Sequence, residues 1–254
     1  MQWPWPRRQA PDAPHRAIAS PSRDWQTRFA ARARASRDPS LVAYYRQPPA
    51  AADTPIEKVP LLALDLETTG LDAATDAIVS IGLVPFDSRR IQCRAAGNWL
   101  VNPQRPLVEA SIKIHGITHS DLAAAPPFAA RLGRLLNAMA GRVIVVHCNA
   151  IERQFLAAAV HALTGEPFEF PVIDTMVLEE RAYPPPQASL LARLFGGADA
   201  EPVSLRLNAT RTRYGLPRYR PHHALTDALA TAELLQAQLQ YHHSPLTAVS
   251  DLWM

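Results

Sequence analysis

The sequence predicts an α/β fold: a mixed five-stranded sheet with one antiparallel strand, flanked by helices. Three observations carry that prediction. "VPLLALDLE" (Val59 to Glu67) is a nearly continuous apolar run, the pattern of a central strand covered on both faces. "AIVSIGLVPFD" and "IQCRAAGNWLVN" follow it at hairpin spacing. From there strands and helices alternate, and strands first with alternation afterwards is the order of an α/β sheet with one antiparallel member.

Taken in order, residues 1–57 form a Pro-, Arg- and Ala-rich extension that ends in the linker "QPPAAADTP". Within it, "DWQTRFAARARASR" reads as a basic helix with Asp24 as N-cap, and "LVAYY" (Leu41 to Tyr45) as a segment able to pack on the domain. Residues 58–243 form the domain proper, and 244–254 a C-terminal tail. After the three strands, "SDLAAAPPFAARLGRLLNAMAG" is a loop then a helix ending at Gly141. "RVIVVH" is a short buried strand. "AIERQFLAAAVHAL" is an amphipathic helix with Ile151, Phe155 and Leu156 inward. "FPVIDTMVLEERA" is a strand leading into a helix, "PPP" (Pro184 to Pro186) a loop, and "HHALTDALATAELLQAQLQ" a long final helix.

Charge is unevenly distributed. Of a formal net charge of +3, residues 1–50 hold nine arginines against three aspartates, while the rest is mildly acidic. The plain reading of the extension is a partly ordered segment. A nucleic-acid-binding arm, with Trp3, Trp5 and Trp25 among the arginines, and a transit peptide are its alternatives. No apolar run reaches the roughly 18 residues of a membrane span, and the N-terminus lacks the apolar stretch of a secretory signal. Two cysteines cannot build a disulfide framework, so a reduced, cytoplasmic setting is expected.

Asp65 and Glu67 stand two residues apart in the first strand, so both side chains leave the same face while Leu64 and Leu66 enter the other. Two carboxylates that close repel, and burial adds to the cost. A hard divalent cation relieves both penalties, and oxygen-only ligands suit Mg²⁺ or Mn²⁺. The alternative is a carboxylate pair capping the turn made by Thr68, Thr69 and Gly70. Glu152 opens a helix after a buried strand, at the end where such sheets present their crevice, or it is a first-turn acid favoured by the helix dipole. Asp227 lies in the first turns of the last helix. His222 precedes it by five, so His222 faces the same site only from the loop before the helix. A histidine beside a metal site is a ligand or a proton acceptor.

Asp-x-Glu on the first strand, an acid after a later strand, and His-x₄-Asp opening the last helix together resemble the three motifs of the DEDDh 3′–5′ exonucleases, the group of the epsilon subunit of bacterial DNA polymerase III. "LETTGLD", "IKIHGIT" followed by "APPF", "VIDTMVLEERA" and "RYGLPRYRPHHALTDALATAELL" extend the likeness from about Val59 to Gln240. The resemblance implies a ribonuclease H-like fold, two divalent ions held by Asp65, Glu67, Glu152 and Asp227, and His222 as general base. His223 occupies the position where the sister group carries tyrosine. The second motif departs from the family: His147-Cys148-Asn149-Ala150-Ile151-Glu152 has Glu for the usual Asp and Cys for the usual Asn. A water between Glu152 and the ions would absorb the longer arm.

The resemblance further implies that the backbone at Leu66 and Thr68 holds the terminal nucleotide, with Thr69, His115, Ile117 and Phe155 lining its groove. His115 is expected on a loop, His147 to end its strand and pack, Cys148 to be a small buried neighbour, and Asp174 to be structural. Arg211, Arg213, Arg218 and Arg220 flank His222 and are expected to steer the nucleic acid, the alternative being a solvated basic face. The expected reaction releases nucleoside 5′-monophosphates from a single-stranded 3′ end, DNA more than RNA, with any polymerase partner acting in trans. An RNA 3′-end-processing enzyme of the same fold and a catalytically weak nucleic-acid-binding subunit are the competing readings.

Overall fold

A computed structural model describes residues 24–107, 109–184 and 203–254. The sheet has the order β3-β2-β1-β4-β5, from β1 (Leu61–Thr68), β2 (Ile78–Phe86), β3 (Gly97–Leu100), β4 (Val143–Val146) and β5 (Val172–Asp174). β2 runs antiparallel to both neighbours, and β1, β4 and β5 are parallel. The mixed sheet with one antiparallel strand is therefore present. The apolar run explains the placement of β1: with layers on both faces, Leu61, Leu62, Ala63 and Leu64 are all fully buried.

Helices α1 (Trp25–Ala35) and α2 (Pro39–Tyr45) precede the sheet. Asp24 caps α1 by accepting from the Thr27 N–H, and Asp38 caps α2 by accepting from Ser40 and Leu41. Trp25 and Phe29, one turn apart, bury against Tyr44, Tyr45 and Phe168. Burying each such aromatic contributes about 1.5–3 kcal/mol, enough to hold this helical pair on the domain. Arg28 and Arg32 both pair with Glu169 and so are committed to packing. Trp25 is itself buried, not presented as a stacking platform for bases. Trp3 and Trp5 lie outside the described residues.

The core runs across both expected boundaries, at 57/58 and at 243/244. Leu41, Tyr44 and Tyr45 on one side and Val249, Leu252 and Trp253 on the other share one apolar cluster with the sheet. The final residues are stitched down by main-chain bonds: Ile56 N–H to Thr247, Val249 N–H to Thr54, and Met254 N–H to Val172. Long-range pairing of this kind leaves no local sequence signal.

On the remaining connections, α3 (Glu109–His115), α4 (His119–Ala123) and α5 (Phe128–Met139) follow β3. His115, expected on a loop, is the last residue of α3, and Gly116 ends that helix with φ +74. The stretch before α5 was expected as loop; it holds α4, started by a reciprocal Thr118–Asp121 capping box. α6 (Asn149–Thr164) stops at Gly165 with φ +70, and α7 (Thr175–Ala182) follows β5 directly. α8 (Leu207–Arg213) and the long α9 (Ala224–His242) complete the described chain. No helix among the described residues is long and apolar enough to cross a membrane.

Candidate active site

The site begins at the pairing of β1 with β2. Asp65 lies opposite Gly82 and Glu67 opposite Ser80. Gly82 decides how close the last helix comes. A Cβ there would sit 2.1 Å from the carbonyl carbon and oxygen of Ala224, so only glycine lets the start of α9 rest on β2 beside Asp65. That contact delivers Asp227, in the first turn of α9, to the two strand carboxylates. One oxygen each from Asp65, Glu67 and Asp227 lies within 4.8 Å of the others. A glycine inside an otherwise apolar strand is the sequence signal that would have singled out Gly82.

His222 sits on the loop just before α9, as its spacing from Asp227 requires. Its φ is +66, a left-handed conformation uncommon outside glycine, and its N–H donates to Asp227 Oδ2 at 2.7 Å. The His223 N–H reaches the same oxygen at 3.4 Å. Asp227 thus fixes the backbone carrying His222 through one carboxylate oxygen. The His223 side chain instead caps α9, accepting from Thr226.

Glu152 projects from the first turn of α6 and is buried, with Oε2 lacking a partner among the described residues. It lies outside the three-carboxylate cluster, yet close enough that its charge acts on Asp65. The corner that presents it is set by Asp174, which accepts from the N–H groups of Cys148 and Asn149 and from the Asn149 amide. Asp174 is structural, as expected. Cys148 occupies a left-handed position with φ 89, a conformation asparagine tolerates better than cysteine. It is half-buried where full burial was expected. His147, expected to end its strand, lies just past β4 and packs, with Nε2 donating to the Leu205 carbonyl and Nδ1 beside the Thr175 hydroxyl.

Without counter-ions these carboxylates resist ionisation. Burial holds Asp65 well above the usual carboxylate range, and the charges of Glu152, Asp227 and Glu67 add to it. Burial and Asp227 push Glu67 up to about 7. Glu152 is raised well above its ordinary value, mainly by burial, and burial raises Asp227 despite the His222 and His223 N–H bonds. Converging carboxylates that cannot all ionise alone, with one buried oxygen unpartnered, fit hard divalent cations.

Residues 62–235 match the exonuclease family model, RNase_T. The chain belongs to this exonuclease family. A DNA polymerase III subunit epsilon-like protein of Rhodobacter capsulatus is 36% identical to this chain over 188 residues, covering 72% of the chain but only 24% of that protein. The DNA polymerase III subunit epsilon of Treponema pallidum is 29% identical over 186 residues, covering 73% of this chain and 79% of its own length. Among solved structures, the nuclease domain of 3′hExo, a DEDDh family member bound to rAMP, superposes with a TM-score of 0.56 at 17% identity. It covers 71% of this chain and 92% of that one. Exonuclease X in complex with 5′ overhanging duplex DNA gives 0.51 at 24% identity, over 76% and 97%. The two structures establish the shared ribonuclease H-like fold.

The residues expected at the groove differ in how the fold holds them. Thr69 is buried, and its hydroxyl is used within the turn, donating to Asp76 and accepting from the Ala77 N–H. Phe155 is buried in the core, and Ile117 packs into a small apolar cluster with Val79, Leu107 and Leu122. Leu66 is buried, while Thr68 is half-exposed with its hydroxyl donating to the Gly70 carbonyl. His115 lies close enough to His222 to feel its charge, and the Ile117 N–H donates to its Nδ1. That bond places the neutral ring's proton on Nε2, which is buried without a partner among the described residues.

The arginine run divides. Arg211 is fully buried against Glu233, and Arg213 pairs with the buried Glu179. Only Arg218 and Arg220 of the four are exposed. Two long-range ion pairs, invisible to local patterning, account for that correction.

Metal binding should therefore release protons. Below about pH 7 the raised carboxylates hold protons that a divalent ion must displace. In stability terms, their contribution is complete below the unfolded values near 4 and is lost as pH rises through the folded ones. The half-buried His147 and His242, whose protonation the fold disfavours, act in the opposite sense over part of that range. Proton release on binding isolates the carboxylates. Titrating Mn²⁺ calorimetrically at pH 6.5 in two buffers of different ionisation enthalpy should show buffer-dependent heat, shrinking at pH 8. Equal heats in both buffers at pH 6.5 would contradict the raised values.

Proposed function

We propose that this exonuclease removes nucleotides from the 3′ end of single-stranded DNA, hydrolysing the terminal phosphodiester and releasing nucleoside 5′-monophosphates. The observation that carries the reading is the convergence of Asp65, Glu67 and Asp227 within 4.8 Å of one another. Asp65, Glu67 and Asp227 would hold two divalent ions, Mg²⁺ or Mn²⁺, with Glu152 reaching them directly or through water. When bound, such ions supply Lewis-acid stabilisation of the charge developing on the phosphate and the leaving oxygen.

The side chains divide the remaining work. His222, exposed at the rim, takes the proton from the attacking water. Asp227 serves twice, one oxygen anchoring the His222 backbone while its carboxylate belongs to the cluster. The main chain at Leu66 and Thr68 seats the terminal nucleotide, with Glu67 near its 3′-hydroxyl. Arg218 and Arg220 draw the strand toward the acidic crevice. A cytoplasmic setting accords with the two unpaired cysteines, and the names of the bacterial relatives support a polymerase partner in trans.

The test compares 5′-labelled and 3′-labelled DNA and RNA oligonucleotides with Mg²⁺ and with Mn²⁺. The 5′ label should yield a descending ladder, the 3′ label a nucleoside monophosphate at once, with DNA faster than RNA. Internal cuts or 5′ release would overturn the polarity, and faster RNA turnover would reassign the substrate.

A further inference from the structure

We infer that Arg211 is a positioning residue that holds the loop carrying His222 in its working conformation. The inference rests on the role of His222 proposed above. Arg211 is 0% exposed and lies on α8, yet its guanidinium joins two other parts of the chain, α9 and the segment before His222. Nη1 donates to the Ala230 carbonyl of α9 at 2.6 Å. Nη2 donates to the Pro217 carbonyl at 2.9 Å and to Glu233 Oε2 at 2.7 Å. The guanidinium also stacks on the Tyr219 ring, 4.7 Å from its centroid. Tyr219 in turn donates its hydroxyl to Glu233 Oε1 at 3.0 Å.

Pro217 and Tyr219 belong to the segment that runs directly into His222. Arg211 and Glu233 therefore pin that segment to the helix bearing Asp227, and Asp227 pins its far end through the His222 N–H. Between the two anchors the backbone at His222 holds a left-handed φ of +66. Such a conformation persists only where the surroundings over-determine it. Burying a guanidinium is costly, and a planar fork that satisfies three acceptors at once is what compensates it. Lysine keeps the charge but cannot span the same acceptors.

The experiment measures hydrolysis of the 5′-p-nitrophenyl ester of thymidine 5′-monophosphate with Mn²⁺, for Arg211→Lys and Tyr219→Phe, each in the parent and in the His222→Ala background. If Arg211 acts through His222, Arg211→Lys should lower kcat about tenfold with KM little changed, because a small misplacement of a reacting group costs this much or more. In the His222→Ala background the same change should alter kcat by less than about twofold, the non-additivity of residues that act as a unit. Tyr219→Phe should act in the same direction to a smaller extent, and it decides alone if Arg211→Lys does not fold. The backbone amide resonance of His222 should move in both variants. Equal losses in both backgrounds, or unchanged kcat with an unmoved amide, would overturn the inference. A parent protein that leaves the ester intact would count against the proposed reaction, while the amide resonance would still decide whether Arg211 holds the loop.

Discussion

Asp65→Ala is expected to abolish nucleotide release while leaving the protein folded. Asp65 is the carboxylate on which the charges of Glu67, Glu152 and Asp227 all bear, so it is central to any ion-holding arrangement. Losing a single electrostatic contact to the transition state costs about 10²–10³ in rate, and losing a shared cation ligand should exceed about 10³. The fold should not suffer. In the metal-free protein Asp65 adds repulsion, not an ion pair, so removing it relieves strain among its neighbours. At pH 8 without metal the variant should melt at or above the parent temperature. Near-parental turnover, or a large fall in melting temperature, would show that Asp65 is a structural acid. Asp227→Ala should be equally inactive but should also loosen the His222 loop, because it removes the acceptor for the His222 and His223 amides.

His222→Ala should lower kcat by about 10²–10⁴, the usual contribution of a positioned general base. The loss should shrink as pH rises and hydroxide replaces the missing base. His223→Ala is the matching control. It removes the side chain that caps α9, which costs about 0.5–2 kcal/mol of stability, but it should leave turnover close to parental. If His223→Ala proves the more damaging change, the two residues exchange roles and the His-type assignment fails.

The chemistry was legible where it followed from local geometry. Asp65 and Glu67 share a face because strand side chains alternate, and His222 had to precede the helix because five helical positions would turn it away from Asp227. The mixed sheet with one antiparallel member followed from three strands and then alternation. What sequence could not display was pairing at a distance. Arg211 and Arg213 read as a basic face, yet Glu233 and Glu179 bury them. Thr69 read as a groove residue, yet Asp76 seven positions later claims its hydroxyl. Helices α1 and α2 and the last residues read as an extension and a tail, yet their aromatics complete one core. Gly82 was open to detection, since a glycine in a buried strand signals close backbone approach.

The central claim is that carboxylates from β1, α6 and α9 form one cation site. Anomalous diffraction from crystals of the full chain soaked in Mn²⁺ tests it most directly. The account predicts two manganese peaks in the crevice beside Asp65, Glu67 and Asp227, with Glu152 reaching them directly or through water. Manganese bound elsewhere, with none beside Asp65, would contradict it.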